Sequence, residues 1–170
     1  MAYNTIKIKK FIDHEEEYAA AAALYPGHLI ELTSSGTVQK HSTASGNALP
    51  MFALEDELQG KGIDDVYAAG SKVKCWIPVR GEEVYAVLTD GQSVAIGDLL
   101  ESTGEGTLTA YTADSESHDS FDSFGPVVSL TTYPLQIVAM ALEAVDISDS
   151  SGAEDSGTLD WDKRIRVRIV

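Results

Sequence analysis

The residues of this 170-residue chain with the reach to do chemistry are one cysteine, four histidines, one lysine set between glycines, and serine-rich acidic stretches. Cys75 stands in Val73-Lys74-Cys75-Trp76-Ile77, a run with strand-like alternation and no His or Asn close by. An inert buried thiol is expected there rather than a nucleophile, since activation needs a basic partner. His14, His28, His41 and His118 have no zinc-ligand spacing. His28 and His41 are expected to face each other across a hairpin. A phosphate loop around Gly60-Lys61 would need glycine where Glu55 stands and Ser or Thr where Gly62 stands. The flanks of Lys61 do not fit a biotinyl or lipoyl carrier either, so an exposed turn is expected. Asp114-x-Glu116-x-x-Asp119-x-x-Asp122 lacks the spacing and central glycine of an EF-hand loop. No Gly-x-Ser-x-Gly elbow occurs. The expectation is a protein without catalytic residues, metal site or cofactor, and not an enzyme.

Charge narrows the partners. The formal net charge is −15, with every one of the 27 acidic residues between Asp13 and Asp162. Seven of the 12 basic residues lie in Lys7–Lys10 and Lys163–Arg168, leaving five to offset the whole acidic body. Such a body repels phosphate backbones, and its aromatics are not interleaved with basic residues, so nucleic acid is not an expected partner. No apolar run approaches the ~20 residues of a membrane helix. The N-terminus has lysines but no apolar core of a secretory signal. Lys7, Lys9, Arg164, Arg166 and Arg168 read as the solvent faces of alternating strands.

The elements that must carry these residues are mostly short strands. Thr5-Ile6-Lys7-Ile8-Lys9 alternates with period two. Asp13–Ala23, three glutamates followed by alanines, predicts the one short helix, stopped at Pro26-Gly27. His28–Thr33 and Thr37–His41 flank a Ser34-Ser35-Gly36 turn. Strands are expected at Pro50–Leu54, Lys72–Val79, Val84–Leu88, Val94–Leu100 and Thr107–Tyr111. An apolar stretch runs over Tyr133–Asp146, and a final alternating strand over Arg164–Val170. Leu58–Val66 reads as an exposed loop. Phe52-Ala53-Leu54-Glu55-Asp56 is echoed by Met140-Ala141-Leu142-Glu143-Ala144, read as two similar core strands. The expected fold is mainly β: a small β-barrel or β-tulip-like domain over 20–170, with acidic loops near 113–125 and 147–160. Residues 1–19 form an N-terminal arm and linker, and Met1–Lys10 is expected to be poorly ordered in isolation, so that its deletion barely moves the thermal midpoint.

Taken in order, Pro26-Gly27-His28-Leu29-Ile30-Glu31-Leu32, Gly36-Thr37-Val38, Phe52–Asp56, Gly60-Lys61, Asp65-x-Tyr67-x-Ala69-Gly70, Ala139–Asp146 and Arg164–Val170 resemble the capsid decoration (head cement) proteins of tailed bacteriophages. The resemblance spans most of 20–170 and implies a non-enzymatic protein on the outer surface of the virion. Its partners would be the major capsid protein and itself as a homotrimer. The arm, with Tyr3, Ile6, Lys7, Ile8, Lys9, Lys10 and Phe11, is the expected capsid-binding element. A carbohydrate-binding or adhesive β-module displayed on a virion is the competing expectation.

Overall fold

The computed structural model describes residues 3–12, 14–112, 135–148 and 164–170. The acidic stretch 113–125, most of 147–160, His118, Phe121, Phe124 and Trp161 lie outside them. Among the described residues are β1 (Lys7–Lys9), β2 (Glu15–Ala20), β3 (Ile30–Leu32), β4 (Thr37–Lys40), β5 (Phe52–Ala53), β6 (Lys72–Trp76), β7 (Glu83–Val87), β8 (Ser93–Val94), β9 (Leu99–Ser102), β10 (Leu108–Ala110), β11 (Ile137–Ala141), β12 (Val145–Asp146) and β13 (Arg164–Ile169). One 3₁₀ turn, Glu57–Gln59, is the only helical segment among them. The protein is mainly β, as its alternation predicts.

Two sheets dominate. One has the order β1-β7-β13-β11-β9-β10, the other β3-β4-β2-β6-β5, and β12-β8 form a small ribbon. All pairs are antiparallel except β2 with β4. Both large sheets curl. The ends of the five-stranded sheet meet at a Leu29–Phe52 bridge, where the Ala53 N–H donates to the His28 carbonyl at 3.1 Å and the Ile30 N–H to the Met51 carbonyl at 2.8 Å. In the six-stranded sheet, Leu88 bridges Leu108. Neither closure is a continuous ladder, so each sheet is an incompletely closed barrel.

Strand periodicity divides the core. On β5 and β6, Phe52 and Trp76 enter one apolar cluster with Val84, Leu100 and Ile165. Ala53, Val73 and Cys75 face the other way, into a second cluster with Leu24, Val38 and Tyr67. The β5–β6 pair is thus a wall shared by both clusters, with Lys72 and Lys74 on the Trp76 face beyond the core. Gly27 ties the two sheets together. Its N–H donates to the Ala53 carbonyl at 2.8 Å, and its carbonyl accepts from the Val87 N–H at 3.1 Å.

Three expectations are corrected. Glu15–Ala20 is a strand, not a helix, paired along its length with β6 from Glu15↔Trp76 to Ala19↔Lys72. Alanine's helix propensity is worth only tenths of a kcal/mol per residue, and a polyalanine helix offers little area to bury. As a strand, the segment completes the wall over Val73 and Cys75, burying Ala20 and half-burying Tyr18. The boundary placed at 19/20 consequently falls inside a central strand. Residues 5–9 are not a detached arm: β1 pairs with β7, and Ile6 has no exposed surface. Arg164 is not on a solvent face. Its side chain is fully covered and donates to Asp64 Oδ1 at 3.0 Å, to the Pro26 carbonyl at 3.2 Å and to the Ile63 carbonyl.

Candidate functional site

The N-terminal segment is built as a strap held by two buried glutamates. At its start, Glu55 accepts the Thr5 hydroxyl and the Ile6 N–H, the latter at 3.1 Å to Oε2. At its end, Glu82 takes the Phe11 and Ile12 N–H groups on Oε1, the second at 2.9 Å, and the Val79 N–H on Oε2 at 2.7 Å. Three backbone donors from two distant segments converge on one carboxylate. Glu82 is completely buried, and hydrogen bonds to a charged acceptor are about twice as strong as neutral ones. Phe11, Ile12 and Val79, whose side chains are exposed, are therefore held close together at the backbone.

The expected capsid-binding residues separate into two groups. Tyr3 packs edge-on against Tyr85, with centroids 5.3 Å apart, and its hydroxyl accepts from Arg166 at 3.3 Å. Ile6 is core and unavailable to a partner without unfolding. Ile8 packs against the same core. Lys7 pairs with Glu15, and its Nζ lies 5.6 Å from the Trp76 ring centroid. Lys9, Lys10 and Phe11 are exposed, Phe11 at 65%, and the Lys9 Nζ stands 5.5 Å from the Phe11 ring centroid. Ile12, Val79 and Arg80 join this second group, a convergence that sequence reasoning missed because residues 9–12 and 79–82 meet only in the fold.

The other chemical candidates have structural surroundings. Cys75 is buried, and desolvation pushes its thiol up to about 12. Its Sγ contacts the Val73 carbonyl oxygen at 3.5 Å. His41 bonds Ser102 Oγ at 2.8 Å and the Asn47 carbonyl at 3.0 Å. His28 instead accepts the Tyr25 N–H on Nδ1 at 3.1 Å, so each imidazole has its own partners rather than the other. The echo between the two Ala-Leu-Glu segments has a shared use, since Glu143 accepts the Arg166 N–H at 2.7 Å much as Glu55 accepts that of Ile6. Among the described residues no cluster of His, Cys, Asp and Glu is arranged to hold a metal ion. A recess of about 310 Å³ includes Tyr18, Leu32, Leu49 and Ile77 with Glu16 and Glu31. There the Tyr18 hydroxyl donates to Glu16, which lowers the Glu16 pKa and raises that of Tyr18.

His28 makes acid sensitivity testable. Burial first, then the charges of Lys40 and Arg164, push its pKa from 6.5 down to about 3. A depressed folded-state pKa contributes stability that is whole above about pH 6.5 and is lost as pH falls toward 3, because the unfolded chain binds the proton first. In urea titrations, His28→Asn should lose less of its midpoint than the parent between about pH 7 and about pH 4. Equal losses would show that His28 is not a source of the acid sensitivity.

Comparison with known protein families and with curated proteins finds no match to this chain.

Proposed function

We propose that this chain is a structural virion protein that binds the outer surface of an expanded bacteriophage capsid and stabilises it by clamping neighbouring major capsid subunits. It acts as a homotrimer on the shell, without turnover. The observation that carries this reading is the strap. Residues 5–12 are fixed to the body by β1 pairing and two carboxylates, and they end in an exposed basic and apolar surface on a chain of net charge −15. A cement needs rigid presentation and cohesion, which a β-rich body with buried strap anchors supplies. Copies engaging one shell together gain strength by multivalency. A ligand that binds only the intact shell stabilises it by about 2.7 kcal/mol per site at one hundred times Kd.

The test is DNA release on heating, measured on full particles with and without the protein. Decorated particles should release DNA at a higher temperature. Equal release temperatures would remove the cement reading. They would leave the carbohydrate-binding or adhesive module, for which the recess beside Tyr18, Glu16 and Glu31 is the supporting feature.

A further inference from the structure

We infer that the docking surface is the patch formed by Phe11, Ile12 and Val79 with Lys9, Lys10 and Arg80 around it, and that it takes an acidic protein surface bearing a central apolar side chain. The inference rests on the shell-binding reading and names the partner's chemistry at that surface.

Phe11, Ile12 and Val79 are 65%, 59% and 39% exposed. The common carboxylate of Glu82 accepts the backbone N–H groups of all three and so brings these residues together. Gly81 lies beneath Phe11, where an added Cβ would stand 3.6 Å from Phe11 Cε2. The Gly81 N–H donates to the Ile169 carbonyl at 2.9 Å, bringing half-exposed Val170 to the same edge. Isolated exposed apolar residues need no explanation, but a group held together on a rigid base marks an interaction site.

Charge selects the occupant. The charged residues within 9–12 and 78–81 are Lys9, Lys10 and Arg80, all positive and all exposed. This is a basic spot on a strongly acidic molecule, so it steers toward a negative surface and away from a basic one. The arrangement of apolar centre and charged rim is that of a protein interface.

The experiment is co-sedimentation with empty expanded capsids, using the full chain and two double variants, Phe11→Ser with Ile12→Ser and Lys9→Gln with Lys10→Gln. Thermal midpoints of the free proteins control for folding. The parent should bind, and its affinity should fall as salt rises from about 0.05 to about 0.5 M, because exposed charge pairs are screened. The apolar variant should lose at least about tenfold in affinity. The lysine variant should bind more weakly at low salt and show a flatter salt dependence. Parent-like binding by both variants would overturn this inference while leaving shell binding intact. Failure of the parent to bind shells would remove the reading and this inference with it. Self-association of the free protein that the same variants abolish would assign the patch to a second copy, and would also overturn it.

Discussion

Ile6→Ala lowers the unfolding free energy by about 2–5 kcal/mol, the range for truncating a buried large aliphatic side chain. Ile6 has no exposed surface and lies in the larger apolar cluster, and its carbonyl accepts the Tyr85 N–H at 2.8 Å. Deleting residues 1–9 should cost more. It removes β1 from the edge of β7, the Tyr3–Tyr85 contact, and the donors that satisfy Glu55. A buried carboxylate stripped of its donors is itself costly. Phe11→Ala, on the exposed side of the same strap, should change stability by no more than about 0.5 kcal/mol. Chemical denaturation of the three variants checks the contrast. A deletion variant with the parent's midpoint would show the strap to be dispensable to the fold, as the sequence alone suggests.

Gly27→Ala should destabilise by about 2–5 kcal/mol, through two separable causes. Gly27 has φ +91°, a region costing an L-residue roughly 1–2 kcal/mol. An added methyl would also meet the Tyr85 carbonyl oxygen at 3.0 Å and side-chain carbons of Ile6 and Val87 at 3.3 Å. Overpacking of this kind typically costs 1–3 kcal/mol. Gly36 isolates the first cause: it has φ +75° with nothing within 4 Å of its added Cβ. Gly36→Ala should therefore show only the conformational cost, roughly 1–2 kcal/mol. Equal losses in the two variants would mean that the sheets part easily at Gly27.

These contrasts mark what the sequence could and could not convey. The β3–β4 hairpin was legible because Ile30-Glu31-Leu32 and Thr37-Val38-Gln39 flank a Ser-Ser-Gly turn, β6 and β13 because their apolar residues recur with strand spacing, and β7 because a short apolar run follows Arg80-Gly81-Glu82. β2 was not legible, since alanines carry no period-two contrast and their propensity points to a helix. The alternation of β1 was visible, but its burial was not, because that depends on Glu55 and Tyr85, distant in sequence. Arg164 sits on an alternating strand as a surface residue would, and only the approach of Pro26, Ile63 and Asp64 encloses it. The patch at Glu82 is hidden for the same reason: Ile12, Val79 and Arg80 are unremarkable until two segments share one carboxylate.

The position of β13 between β7 and β11 bears on synthesis. Its Arg168 pairs with Glu83, 85 residues earlier. β7 and β11 both precede β13 in the chain, so each has an open edge until β13 is made. Such edges invite wrong pairing until they are covered, and long-range closure makes folding slow. The Gly81–Ile169 bond beneath Phe11 depends on the same strand. Loss of β13 would therefore open the sheet and remove the support beneath Phe11 together.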